Sequence, residues 1–415
     1  MSQTDRKQEN NRLLTNTSWL LGVELAAKVS RLVTLLAAAY ILTPVEYGIA
    51  MLSLASHDII RALMRSGAGS QVIQCNNSQL EKFCQNAACI QWMLSIFLCV
   101  LQFNAAHLLA NIYEQPQLTP LLQTMSLTYL LFPLVSVRVF LNQRSNDLKY
   151  FSWVNGVCII SENLSIAIML YLDLGIMAFA YSKWVFAGLW LVLFMRLPIT
   201  SYGLGIHWPT LLNLSKTSYQ LLTTELLKTG RQHLDIFIAG KLLTPELFGL
   251  YSFAKSSGVG ISQSISNAFN GALYPHMCKL NRQQILKQRS VSIYLMATAI
   301  GLLFIIQAAL APWYIPLFFS SEWQSAVPVV ATLCIAAVGT IWADTHCNYL
   351  RAQGLFAIER NTRLLCILCL VIVLISMPIS TPQEFANAFL IGSFVWLIPM
   401  WLMPTFIQSP KVTSN

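Results

Sequence analysis

Charge is scarce in this sequence. Of its 415 residues, 10% are Asp, Glu, Lys or Arg, while 55% are hydrophobic. Soluble domains carry about a quarter charged residues, so a water-covered globule is excluded for the bulk of the chain. Catalytic signatures are missing as well. No G-x-x-x-x-G-K-[ST] phosphate loop is present, Gly240-Lys241 lacking its partners, and neither HExxH nor GxSxG occurs, so ATP, zinc and serine hydrolysis have no support and an enzyme is not expected. The net charge of +9 is not gathered into one dense basic block, which argues against nucleic acid as a partner. Most of the ten cysteines lie inside apolar runs, where disulfides are not expected. Cys366 and Cys369 form a CxxC within LLCILCLVIVL with no His beside it, and they read as small packing residues rather than metal ligands.

What is present is a succession of apolar stretches. A bilayer core about 30 Å thick needs about 20 apolar residues per helix, and such windows fall near 19–42, 45–65, 84–110, 120–141, 152–172 and 175–195, then near 219–241, 246–273, 292–318, 326–349, 364–380 and 386–407. The expectation is an all-α polytopic membrane protein of twelve transmembrane helices in two pseudo-symmetric six-helix lobes, residues 1–200 and 215–415, joined by a cytoplasmic linker at 201–214. The first run continues past signal-peptide length with no small-residue cleavage site, so it reads as a retained helix. Lys and Arg concentrate in alternate loops, among them Arg12, Lys82, Arg144, Lys149, Arg196, Arg289, Arg351, Arg360 and Arg363, with little beyond Lys241 opposite. By the positive-inside rule both termini are cytoplasmic.

One phrase is written twice. LTPVEYG spans Leu42 to Gly48 and LTPELFG spans Leu243 to Gly249, each after a long apolar span. Thr43 suits an N-cap, Pro44 the first helical position and Glu46 a capping box; Thr244, Pro245 and Glu246 are expected to repeat that chemistry. Upstream, TSWLLGVELAAKVSR resembles TSYQLLTTELLKTGR, with Lys28 matching Lys228 and Arg31 matching Arg231 at an offset of 200. A duplicated six-helix unit explains both similarities.

Ionisable side chains at mid-membrane cost about 2.5–3.5 kcal/mol each on insertion scales and turn toward a bundle interior or a wet cavity. Glu24, Lys28 and Arg31 share one face of the first helix; Ser53, His57 and Arg61 form a row on the second beside Asp58; Glu225, Lys228, Arg231 and Asp235 share a face of the seventh; Lys255, Ser262, Ser266 and Asn270 make a polar stripe on the eighth. These are equivalent helices of the two repeats, and a cavity between the lobes is expected. Lys28, Arg31, Arg61, Lys228, Arg231 and Lys255 are the candidate binding cations, whose excess in a low-dielectric pocket suits an anionic ligand. Glu24, Asp58, Glu225 and Asp235 are candidates for ion coupling. The competing reading is that Glu24 with Lys28 and Glu225 with Lys228 are ion pairs that hold helices in register. His57 reads equally as a packing histidine, and Glu162, Lys183 and Asp344, isolated on their helices, as snorkelling or pairing across the bundle.

LTPVEYG after the first helix, SGAGSQVIQ (Ser66 to Gln74) closing the second and SSEWQSAVPVVATL (Ser320 to Leu333) entering the tenth resemble the Wzx-type polysaccharide repeat-unit flippases of the multidrug/oligosaccharidyl-lipid/polysaccharide exporter superfamily, over nearly the whole chain. The resemblance implies two rocking six-helix lobes in a bacterial inner membrane. It implies an undecaprenyl-diphosphate-linked oligosaccharide as cargo for O-antigen or capsule, membrane lipid around it, and polymerases and glycosyltransferases as partners. Cationic residues on the first, second and eighth helices line the cavity in such flippases, a role that falls here on Lys28, Arg31, Arg61 and Lys255, with Lys228 and Arg231 added from the seventh. A multidrug cation antiporter on the same fold is the alternative, and it calls for a net acidic cavity.

Overall fold

The computed structural model describes residues 22–395 apart from 24–25, 65–68, 70–71, 74, 146–147, 199–204, 206, 261–265, 267–268, 271–272, 274–276, 278–291 and 353. Among the described residues every regular element is helical. We number the α-helices α1 (26–41), α2 (Pro44–Met64), α3 (Leu80–Tyr113), α4 (Leu118–Ser126), α5 (Pro133–Arg144), α6 (Leu148–Tyr171), α7 (Met177–Met195), α8 (Trp208–Leu242), α9 (Pro245–Ser257), α10 (Ser292–Phe318), α11 (Val327–Ala352), α12 (Phe356–Ser376) and α13 (Pro382–Val395). The chain divides into two compact units, through residue 230 and from residue 231 onward, so the division falls inside α8. In the first unit α6 packs on α7 and α3 on α4; in the second α11 packs against both α10 and α13.

Five described helices are long and apolar enough to cross a membrane, or six if the bent pair α4 and α5 counts as one span. Helices α2 and α8, which carry most of the candidate charges, are not among them, because acids and bases interrupt their apolar sequence. On α10, Leu295, Leu302, Ile306 and Trp313 are exposed, as fits a hydrocarbon-facing surface, whereas Trp323 is fully buried against Phe253, 4.4 Å between ring centroids. Trp313 is thus on the exposed face of α10 and Trp323 in the core. All nine described cysteines are free, and Cys366 is buried.

Two expected spans are not continuous helices. The one expected at 120–141 is α4, a 3-10 turn at Leu127–Leu131 and α5, bent by 57°. Pro133, the first residue of α5, has no N–H to give and its ring crowds the preceding turn. The one expected at 246–273 loses regular helix at Gly258, whose backbone sits at φ −90°, ψ −86°. A Cβ there would come within 2.9 Å of Ala254 O and 3.2 Å of Cys334 Sγ. The carbonyls freed at the break are taken up from α10: Gln307 Nε2 donates to Gly258 O at 2.7 Å and to Ser257 O at 3.3 Å, and the Tyr314 hydroxyl donates to Ser257 O at 3.3 Å. Broken backbone is tolerated at membrane depth only when protein re-satisfies it in this way.

The repeated heptads fold alike at the main chain. The N–H of Leu42 bonds Ala38 O and that of Leu243 bonds Ala239 O, both at 2.9 Å, and each helix then opens on Thr43 O or Thr244 O. Their caps differ. Glu46 accepts from the Thr43 N–H at 3.0 Å and from its hydroxyl at 2.9 Å, a closed capping box. Thr244 makes no side-chain cap bond, which corrects the expected equivalence. The acid in LTPELFG stands one residue too early, at the second helical position rather than the third that a capping box needs. The same Thr-Pro-x-Glu order closes a box at Thr381 and Glu384, where the Glu384 carboxylate accepts from the Ser380 N–H at 2.8 Å, the Ser380 hydroxyl at 2.9 Å and the Thr381 N–H at 3.1 Å. Led by the Ser380 N–H, these bonds hold the Glu384 carboxyl below its ordinary value. That cap persists above the unfolded-state pKa and is lost as pH falls through the lowered one.

A tight crossing joins α11 to α13. A Cβ on Gly339 would lie 2.7 Å from Ser393 O, a main-chain atom. Gly339→Ala is therefore expected to cost about 1–3 kcal/mol by forcing the helices apart, read as a lower unfolding midpoint of the purified protein.

Candidate functional site

In the first unit, α1 is tied to α6 where Thr34 Oγ1 donates to Asn163 O at 2.7 Å and Asn163 Nδ2 donates to Ser30 Oγ at 3.0 Å. Lys28 is half-buried on this helix and Arg31 is exposed; Glu24 lies outside the described residues. On α2, Arg61 is half-buried with its guanidinium carbon 5.2 Å from the Phe132 ring centroid and 4.5 Å from that of Phe186. Aromatic faces stabilise a cation without neutralising it, by about 0.5–2 kcal/mol. Asp58 and Glu225 are half-buried, as is Lys228. Among the described residues, no carboxylate comes within the 4.0 Å ion-pair limit of Lys28, Arg31, Arg61 or Lys228. Glu225 and Lys228 are thus not bonded to each other.

His57 is a satisfied core histidine. It is 1% exposed, its Nδ1 lies 3.2 Å from Gln102 Oε1 and 3.1 Å from the Tyr129 hydroxyl, and that hydroxyl donates to Gln102 Oε1 at 2.6 Å. Glu162 and Lys183, isolated in the sequence, meet across α6 and α7 at 2.7 Å, with side chains 13% and 9% exposed.

In the second unit the remaining candidates are paired. Lys255 Nζ lies 2.6 Å from Asp235 Oδ1, and Arg231 Nη1 lies 3.3 Å from Asp344 Oδ1. Asp344 also accepts from Arg363 Nη1 at 3.4 Å. Arg363 Nε continues to Glu359 at 3.0 Å, and Glu359 accepts from Arg351 Nη2 at 2.9 Å. Among the described residues, three guanidinium groups thus share two carboxylates. The sequence places Arg351, Arg360 and Arg363 in a loop; Arg363 instead lies 3% exposed inside α12, which begins at Phe356 rather than near 364. The legible signal for this was Glu359 four residues before Arg363, a helical ion-pair spacing. Of the polar stripe, Asn270 bonds Asn348 Nδ2 at 2.9 Å, Ser266 is buried and Ser262 lies outside the described residues.

The chain matches the family described as polysaccharide biosynthesis protein over residues 37–328. It belongs to that family. Among curated proteins it is similar to the lipopolysaccharide biosynthesis protein WzxC of Escherichia coli (strain K12), 20% identical over 307 residues that make up 71% of this chain and 60% of that protein. The chain thus spans less than two thirds of that relative's length. Among solved structures it is similar to the lipid II flippase MurJ in an inward closed conformation, with a TM-score of 0.65, 13% identity and coverage of 96% of this chain and 88% of that one. An inward-facing multidrug resistance MATE family transporter of the MOP superfamily aligns with a TM-score of 0.63, 14% identity and coverage of 95% and 96%. At such identities the likeness shows the fold. The Wzx-type resemblance read from the sequence is borne out at the level of the family, and these two structures are of a flippase and a transporter.

Proposed function

We propose that this chain flips an undecaprenyl-diphosphate-linked oligosaccharide across a bacterial inner membrane by alternating access, for a surface polysaccharide such as O-antigen or capsule. In this reading it has twelve spans in two six-helix lobes with both termini cytoplasmic, and works beside a polymerase and glycosyltransferases. The observation that carries the reading is the set of cations that, among the described residues, have no carboxylate partner: Arg61 on two phenylalanine rings, with Lys28, Arg31 and Lys228. A cation held without a counter-ion inside apolar helices attracts an anionic head group. The diphosphate would replace water around these side chains while the polyprenyl tail stays in lipid. Arg231 and Lys255, already bonded to carboxylates, would serve by exchanging partners. A multidrug cation antiporter has the same fold, but four cations with no carboxylate partner among the described residues suit its cargo poorly.

The test is single replacement of Lys28, Arg61 and Lys228 by alanine in a strain that depends on this gene for its surface polysaccharide. Loss of one charge-assisted contact, about 1.5–3 kcal/mol, is expected to reduce surface polysaccharide about tenfold or more at unchanged protein level. Full polysaccharide in all three variants, or sensitisation to cationic drugs instead, would reject the proposal.

A further inference from the structure

Arg61 leans on the same pair of helices that carries Glu162 and Lys183. Its guanidinium carbon lies 4.5 Å from the ring centroid of Phe186 on α7, and Phe186 packs with Cys158 of α6 and with Phe132 in one core cluster. Lys183 precedes Phe186 by three residues and Glu162 follows Cys158 by four. Residues at those spacings share a helix face, so both charges stand on the side that meets Arg61, one turn nearer the 172–176 connection. The contact between them is thus about 5 Å along the helix axes from the ring under Arg61. The Cys158 thiol feels the charges of both Glu162 and Arg61.

Glu162 therefore stands between two cations and takes one. Lys183 Nζ holds its Oε1 at 2.7 Å, while Arg61 rests on two ring faces. Side chains 9% and 13% exposed leave little water to replace the ammonium. A carboxylate so placed is driven to any cation within reach, and aromatic faces hold a guanidinium less firmly than a buried carboxylate does. Arg61, with a long stem and a planar fork matched to carboxylates, is the cation that Glu162 would claim. Once claimed, it has no net charge to offer an anion.

We propose that Lys183 is a positioning residue for anion binding: by holding Glu162 in the seam between α6 and α7 it keeps that carboxylate off Arg61, whose guanidinium stays charged toward a diphosphate. The binding half rests on the anionic head group proposed above; the competition of Lys183 and Arg61 for Glu162 does not. Lys183 touches no ligand in this assignment. It acts through the acid it occupies.

Unfolding midpoints of the detergent-purified full-length chain test the competition. Arg61→Met is expected to lower the midpoint several degrees more in a Lys183→Met background than in the wild type, because Glu162 then loses its second cation as well as its first. Adding Glu162→Gln is expected to remove that excess. Lys183→Gln, whose amide keeps a hydrogen bond to Glu162 without the charge, gives the same comparison in a milder background. An equal effect of Arg61→Met with and without the Lys183 charge overturns the assignment. Inorganic pyrophosphate binding by calorimetry tests the consequence. Lys183→Met is expected to bind about tenfold more weakly at unchanged stoichiometry, and Lys183→Met with Glu162→Gln to return to wild-type affinity. Lowered stoichiometry at unchanged affinity is the mark of a merely structural pair and overturns the positioning role. Glu162→Gln alone is expected to bind at least as tightly as the wild type; weaker binding would make the carboxylate itself a part of the anion site and overturns the role as well. Coupled midpoints with no pyrophosphate binding to the wild type strike the head-group reading and uphold the competition for Glu162.

Discussion

Replacing Glu359 by glutamine is expected to destabilise the second unit by roughly 3–5 kcal/mol. The carboxylate is 1% exposed and is the partner of Arg351 Nε at 3.0 Å, Arg351 Nη2 at 2.9 Å and Arg363 Nε at 3.0 Å. Glutamine keeps the shape but removes the charge, and its amide N–H groups face guanidinium donors. Arg363, 3% exposed, would then rely on the shared and longer contact to Asp344. Thermal unfolding of the detergent-purified variant should show a midpoint several degrees lower and a larger aggregated fraction. Glu384→Gln, at a fully exposed cap, should move the midpoint far less. Equal midpoints for the two variants would mean that the arginine cluster contributes nothing net to stability.

Lys183→Met is the second large effect expected. It leaves Glu162 without the ammonium now 2.7 Å away, in a setting where the two side chains are 9% and 13% exposed, and a loss of about 3–5 kcal/mol follows from an uncompensated buried charge. Adding Glu162→Gln should recover most of that loss, because the pair's attraction is largely offset by its own desolvation. The coupling is measurable as a double-mutant cycle on the unfolding midpoint. Strict additivity of the two substitutions would show that the contact is not an energetic pair.

Much of the local structure was legible because it depends on neighbours in the chain. Thr43 and Glu46 stand at capping-box spacing and close the box, and the repeated Leu-Thr-Pro phrase yields the same helix start at α2 and α9. The misreading at Thr244 was itself legible, since Glu246 is one residue short of the required position. The breaks at Pro133 and Gly258 are harder to read. A proline or glycine inside an apolar run permits a bend, but whether one forms depends on partners elsewhere in the chain, here Gln307 and Tyr314 for the Gly258 carbonyls.

Charge assignment shows the division most clearly. Helical periodicity placed Lys28 and Arg31, and likewise Lys228, Arg231 and Asp235, on shared faces, because residues three and four apart lie together on any helix. It could not tell which cations have acids across a helix interface. Asp344 looked isolated and takes two arginines, Glu162 looked isolated and takes Lys183, and Arg61 lay beside Asp58 in sequence yet rests on Phe132 and Phe186.

Sequence alone determined that this is an apolar helical chain, with one Leu-Thr-Pro phrase written twice, positive charge set into its apolar stretches and a Wzx-type character. Composition, period and repeat are properties of order along the chain and need no coordinates. Only the tertiary structure decided which of those charges are neutralised, because a counter-ion contact works over about 3 Å and depends on which helices pack together rather than on distance in sequence. By that criterion Lys255 and Arg231 are engaged, while Lys28, Arg31, Arg61 and Lys228 keep their charge uncompensated among the described residues.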